Sequence, residues 1–194
     1  MYSFIEGKIE ELNPTHVVIE CQGIGYNINI SLNTFTKIQG LAQVRLYTHL
    51  IVREDAHILF GFAEADERLV FQQLISVSGV GPNTARLILS SLTAAEVADA
   101  IGTENVKLLQ SIKGIGSKSA LRIIIDLKEK MLKTVPTGDI LTNQHNTAKQ
   151  EALSALVMLG FTRNLAEKAL DQIIKAESGT LPVDQLIKKA LKIL

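Results

Sequence analysis

Two short glycine motifs carry the clearest chemical potential in this chain of 194 residues. Each is a Gly-aliphatic-Gly triplet, Gly79-Val80-Gly81 and Gly114-Ile115-Gly116, and each lies between segments with helical periodicity. A turn this tight needs positive φ angles, which glycine adopts without steric cost. The amides of the turn and the N-terminus of the following helix together form a nest of donors for an anion. We therefore predict that both turns bind phosphate groups.

The two triplets belong to an internal repeat in which equivalent residues are 35 positions apart, as Gly79 and Gly114 are. The repeat begins at Leu74 and Leu109 and continues into the helices that follow the glycines. Two copies are too few for a solenoid, so the pattern predicts a duplicated helix–hairpin–helix unit. In each copy the aliphatic residue between the glycines is expected to anchor the hairpin in the core.

Phosphate binding through backbone amides carries no base information, so the predicted DNA binding is independent of base sequence. Lys118 and Arg122 are four residues apart on the helix after the second hairpin, so they share one face of that helix and can flank the same DNA strand. The residues predicted to contact DNA are Gly79, Val80, Gly81, Asn83, Thr84, Gly114, Ile115, Gly116, Ser117, Lys118 and Arg122.

An acidic pair, Glu54-Asp55, follows Arg53 in the connection between the last two predicted strands. Neighbouring side chains diverge, so this pair does not by itself make a catalytic or metal site, and a solvated turn is the simpler interpretation. If the loop faces DNA, its negative charge repels phosphates and can hold two strands apart at a junction.

The elements that must position these residues predict an α+β multidomain fold. Residues 1–63 alternate as five short strands with a helical turn near 34–38, the order of an OB-type five-stranded β-barrel. Residues 64–133 have helical periodicity and contain the two hairpins. Residues 134–148 are rich in Thr and Asn and predict a flexible linker, whereas 149–194 predict a three-helix, UBA-like bundle.

Within that bundle, Met158, Leu159 and Phe161 surround Gly160 at the predicted end of the first helix. Such residues either fill the small core or form a partly exposed patch on which a protein partner docks. The sequence leaves both possibilities open.

Composition excludes several classes of protein. The formal net charge is zero, so DNA binding must depend on placed amides and a few cations rather than on a broad basic surface. One cysteine, Cys21, and four scattered histidines offer no metal site, and neither hairpin has the further glycines of a nucleotide-binding loop. We expect no cofactor and no ATP hydrolysis. No membrane span or signal sequence is evident, which predicts a cytoplasmic protein.

The order of barrel, paired hairpins, linker and bundle resembles the RuvA family, the DNA-binding subunits of bacterial Holliday junction branch-migration complexes. Each motif alone is weak, but their order along the whole chain is specific. The motifs are Gly23-Ile24-Gly25-Tyr26, Thr48-His49, Val52-Arg53-Glu54-Asp55-Ala56, the two hairpins with Pro82, Ala155-Leu156 and Leu159-Gly160-Phe161.

The resemblance implies a homotetramer with four-fold symmetry that holds a four-way DNA junction open, in recombination and DNA repair, without being an enzyme itself. Arg53, Glu54 and Asp55 then form a central acidic pin. The bundle, through Met158, Leu159 and Phe161, is implied to contact RuvB, the hexameric ATPase of the complex. The RuvC resolvase is a further implied partner, in a larger complex.

Two positions depart from the family pattern, because Asn83 and Ser117 stand where members often carry Lys. Each lost cation removes a phosphate contact, so we expect a junction affinity that is less sensitive to salt than that of a lysine-rich relative. Two other functions stay open. A nuclease or glycosylase needs a carboxylate or a lysine nucleophile beside a hairpin, and the acid nearest to the second hairpin is Asp126, ten residues past Gly116. A single-strand binder needs more aromatic residues than this barrel offers.

Overall fold

The computed structural model describes residues 2–132, 144–176 and 181–194. The chain divides into two compact units, 1–135 and 136–194. Along the described ranges, no helix has the length and apolar character needed to cross a lipid bilayer.

The first unit begins with a closed five-stranded barrel. Its strands β1–β5 are hydrogen-bonded in the order β1-β2-β3-β5-β4, and every pair is antiparallel except β3 with β5. Alternate side chains of β2 and β3, such as Val17 and Ile28, are fully buried inside the barrel. This arrangement confirms the five-stranded, OB-like prediction. The strands are β1 Phe4–Asn13, β2 His16–Cys21, β3 Ile24–Ile30, β4 Gln43–Val52 and β5 His57–Phe62.

Helix α1, Leu32–Ile38, lies between β3 and β4, where the sequence predicts a helical turn. Ser31 caps its N-terminus by accepting a hydrogen bond from the Thr34 backbone amide at 3.0 Å. The side chain of Asn33 donates to the carbonyl oxygens of Leu89 and Leu92, at 2.7 and 3.0 Å. Helix α1 therefore caps the C-terminal end of a helix in the hairpin region.

Within its described residues, the first unit has five further helices that share a core with the barrel. Phe71 on the first of them lies with its ring centroid 5.0 Å from those of both Phe60 and Phe62 on β5. The predicted boundary between residues 63 and 64 falls between β5 and this helix, yet one continuous core spans it. The helices are α2 Ala65–Ile75, α3 Pro82–Ser91, α4 Ala94–Gly102, α5 Val106–Gln110 and α6 Ser117–Leu132.

The described part of the second unit is a three-helix bundle around Leu156, Leu170 and Leu186. Its helices are α7 Gln144–Met158, α8 Arg163–Ala176 and α9 Val183–Ala190. Helix α7 begins at Gln144, inside the segment 134–148 that the sequence predicts as a linker. Polar residues mask the start of this helix in the sequence pattern. The remainder of the predicted linker, 134–143, lies outside the described residues.

Candidate nucleic-acid interface

The first hairpin connects α2 to α3. Gly79 has a φ of +89°, in the left-handed region that favours glycine. Val80 is only 6% exposed, and its amide donates to the carbonyl oxygen of Val77 at 3.0 Å. Gly81 is the N-cap of α3, and its carbonyl oxygen accepts from the Ala85 amide at 2.9 Å. The turn is thus held by its buried middle residue and by the helix that it starts.

The second hairpin repeats this geometry between α5 and α6. Gly114 has a φ of +90°, and Ile115 is 5% exposed with its amide 3.1 Å from the carbonyl oxygen of Ile112. The Gly116 carbonyl oxygen accepts from the Ala120 amide at 2.9 Å. The expected anchoring role of Val80 and Ile115 matches their burial.

The two glycines of each hairpin do different things. Only the first, Gly79 or Gly114, has a positive φ, so the conformational requirement does not extend to Gly81 and Gly116. A Cβ atom built on any of the four would meet no heavy atom within 4 Å. Packing therefore does not demand glycine at the second position. Because the second glycine has no side chain, the backbone at the start of α3 and α6 is left uncovered. The amides of the first turn there lack partners within the helix.

A cavity of about 520 Å³ brings the first hairpin together with α6. Lys118 and Arg122 are both exposed here, and Arg122 donates from Nη1 to the carbonyl oxygen of Ser78 at 3.4 Å. Asp126 lines the same cavity and offsets part of the positive charge. The lining residues are Ser78, Gly79, Lys118, Ser119, Leu121, Arg122, Ile125 and Asp126.

Helix α3 has one cation, Arg86, and the barrel binds it. Its Nη1 atom donates to the carbonyl oxygen of Thr15 at 2.9 Å and contacts Asn29 Oδ1 at 3.4 Å. Asn83 is exposed and Thr84 half-buried, so the first turn of α3 faces solvent without a positive charge. The positive charge beside the first hairpin therefore comes from Lys118 and Arg122 of the second repeat, of which Arg122 contacts the turn directly. Local sequence patterns do not predict that a cation of the second repeat lies beside the hairpin of the first.

A buried carboxyl group joins α1 to α2. Glu67 is 3% exposed and accepts hydrogen bonds from Ser31 Oγ at 2.5 Å and Thr34 Oγ1 at 2.7 Å. Burial raises the pKa of the Glu67 carboxyl above its usual value, and the two hydroxyl donors oppose part of that rise. Together with Asn33 and Arg86, this group fixes the barrel against the hairpins. None of these three links leaves a local pattern in the sequence, because each depends on contacts between distant segments.

The acidic pair lies where the sequence places it, in the connection between β4 and β5. The Arg53 amide donates to the Ala56 carbonyl oxygen at 2.9 Å, closing the turn. The side chains of Arg53, Glu54 and Asp55 are exposed. The adjoining Val52 is also 63% exposed, although it is apolar.

In the bundle, the three residues around Gly160 separate into two groups. Met158 is 89% exposed and Leu159 is 60% exposed. Phe161 is half-buried and packs against the bundle core, with its amide 3.2 Å from the Leu156 carbonyl oxygen. Gly160 permits the sharp turn through a φ of +102°. Of the two possibilities left open by the sequence, Phe161 fits the core, whereas Met158 and Leu159 fit an exposed patch.

Comparison with known proteins divides the chain into three matched regions. Residues 1–61 match the family described as RuvA N terminal domain, and residues 147–194 match RuvA, C-terminal domain. Residues 71–129 match SAM-like Helix-hairpin-helix tandem. Several full-length relatives carry the name Holliday junction branch migration complex subunit RuvA. Those from Christiangramia forsetii, Flavobacterium psychrophilum and Cytophaga hutchinsonii are 53%, 50% and 47% identical to this chain, and each alignment covers 99% of both sequences.

Proposed function

This chain belongs to the RuvA family, and we propose on that premise that it binds four-way DNA junctions without base specificity as a subunit of a branch-migration complex. The observation that carries the proposal is the pair of hairpins whose second glycines, Gly81 and Gly116, leave the starts of two helices uncovered. A phosphate backbone can approach such amides closely, and the helix dipoles favour its charge. The two hairpins thereby hold an arm of the junction.

On the first unit, the cations lie beside the hairpins that bind phosphates, and the acids that repel phosphates lie at the β4–β5 turn. Lys118 and Arg122 add positive charge beside the hairpins, where phosphates are to be held. Glu54 and Asp55 project from the β4–β5 turn and repel phosphates, so they suit the centre of a junction where strands part. The links through Glu67 and Arg86 fix these two regions relative to each other.

We further propose that the chain acts as a homotetramer in the cytoplasm and recruits a RuvB-type hexameric ATPase through Met158 and Leu159. ATP hydrolysis then belongs to that partner, and a RuvC-type resolvase joins a larger complex. Attachment of the bundle to the junction-binding unit raises the local concentration of the motor at the DNA. The exposure of Met158 and Leu159 on a folded bundle supports this part of the proposal.

The deciding experiment is a gel-shift series with a four-way junction, a duplex and a single strand of matched sequence, without ATP and with or without Mg²⁺. We expect preferential binding to the junction with no change in the DNA strands. Cleaved products would favour the nuclease or glycosylase alternative. Preference for the single strand would favour binding through the barrel, and equal affinity for duplex and junction would overturn junction recognition.

A further inference from the structure

Val52 and His57 form an exposed pair at the base of the acidic turn. They lie directly opposite each other at the ends of β4 and β5, in the last ladder position before the turn. Opposed residues of an antiparallel pair put their side chains on one face, with Cβ atoms roughly 5 Å apart. Val52 is 63% exposed and His57 is exposed as well. The preceding pair, Ile51 and Ile58, packs instead against the core of the first unit.

We propose that Val52 and His57 form a stacking surface for the base pair beside the crossover of a bound four-way junction. The inference rests on the proposed junction-binding function. Valine offers an apolar surface of the kind that proteins place against unstacked bases, and an imidazole ring stacks on bases in the same way. The pair thereby takes the place of the neighbouring base pair that is lost when the arms of a junction are splayed apart.

The charge of the turn selects which part of DNA can occupy this surface. Glu54 and Asp55 follow Val52 by two and three positions, with Arg53 between, and both acids are exposed. A phosphate brought to the side of this hairpin meets their negative charge, whereas the uncharged face of a base does not. The acidic tip of the hairpin therefore excludes the phosphate backbone of the DNA, whereas the Val52–His57 pair receives nucleobases.

The test uses the full-length protein and an immobile junction with 2-aminopurine at a crossover position. The variants are V52T, which keeps the shape but adds a hydroxyl, H57A, and the double variant. The matched control is I24T, because Ile24 is 57% exposed and lies at the start of β3, at another hairpin of the same barrel. Circular dichroism and light scattering establish fold and oligomeric state for each variant.

We expect the double variant to lower junction affinity by about fivefold or more, with duplex affinity unchanged, and to raise 2-aminopurine emission in the complex. The I24T variant should match the wild type in both measurements. Emission and affinity that equal the wild-type values in the double variant would overturn the stacking role while leaving junction binding intact. A smaller oligomer in the double variant would also overturn it, assigning the pair to a contact between subunits. Failure of the wild type to prefer the junction would instead reject the proposed function.

Discussion

Arg122 Nη1 donates to the carbonyl oxygen of Ser78 at 3.4 Å, across 44 positions of the sequence. The contact joins a cation of the second helix–hairpin–helix unit to the turn of the first. Because Arg86, the one cation of α3, is bound by the barrel, the first hairpin depends on the second for positive charge. The duplicated units are therefore equivalent in backbone but unequal in electrostatics.

This inequality predicts that R122Q weakens junction binding and lowers its salt dependence. Loss of one phosphate contact reduces the slope of log affinity against log salt by about 0.9 on duplex arms. Salt titrations of junction binding measure the slope directly. K8Q is the matched control, since Lys8 is exposed on β1 of the barrel and pairs there with Glu10. Equal slopes for R122Q and wild type, or an equal reduction in K8Q, would refute the assignment.

The hairpin glycines predict a separation of stability from binding. In G114A a Cβ is forced into a positive φ, which costs about 1–2 kcal/mol of unfolding free energy, whereas G116A has neither strain nor a clash. We expect G116A to unfold as the wild type does but to lose about tenfold or more in junction affinity, because its methyl group covers the amides that a phosphate approaches.

Urea unfolding and gel shifts on the two variants provide the measurements. G81A serves as the same test at the first hairpin, where Gly81 also has open space around it. Wild-type junction affinity in both G81A and G116A would show that phosphates do not come close to these positions.

The parts of this fold that local patterns predict are those whose residues act within one element or turn. Alternation of apolar and polar residues predicts the strands, and the Gly-aliphatic-Gly triplets predict the hairpins. The acids of the β4–β5 connection lie in the predicted turn. Such features need no partner from a distant segment. The sequence pattern does not predict the start of α7 at Gln144, because the first turns of this helix are polar and lack an apolar stripe.

The contacts that orient the site could not be predicted in this way. Asn33 on α1 caps α3, Arg86 on α3 holds the barrel, and Arg122 reaches the first hairpin, each across more than forty residues. A hydrogen bond between distant segments leaves no periodic trace in the sequence. Resemblance to a family supplied the acidic-pin interpretation, since the charge pattern alone favours an ordinary solvated turn.

The acidic turn predicts a loss of selectivity when its charge is removed. In E54Q/D55N the repulsion of phosphates at the turn disappears, so duplex affinity should rise while junction affinity changes less. Competition between labelled junction and unlabelled duplex measures the ratio. D99N is a suitable control, because Asp99 is an exposed acid on α4. An unaltered junction-to-duplex ratio, together with unaltered motor-driven branch migration, would mean that the acids do not act as a pin.

Glu67 predicts a pH dependence of stability with a defined sign. Its folded-state pKa is raised by burial, so the folded protein retains a proton that the unfolded chain has released. The stabilising contribution is complete below the unfolded pKa of about 4.3 and is lost as the pH rises through the folded value. E67Q removes this titration. Its unfolding free energy should therefore improve relative to the wild type as the pH rises through that interval.

Urea unfolding of both proteins at a series of pH values from acidic to neutral measures this difference. Parallel curves for E67Q and wild type would show that the carboxyl group has the same proton affinity in both states.

The exposure of residues at the end of α7 predicts that partner binding and bundle stability depend on different side chains. Met158 and Leu159 project into solvent, so M158S/L159S should leave the unfolding of the bundle unchanged while it weakens recruitment of a RuvB-type motor. Phe161 packs on the core, so F161A should destabilise the bundle by about 2–3 kcal/mol.

Hydrogen exchange of α7 amides and calorimetric titration with the motor measure the two effects independently. L41S is the control for loss of an exposed apolar residue, because Leu41 is 50% exposed on the first unit. If M158S/L159S binds the motor as tightly as L41S does, the docking surface lies elsewhere on the chain.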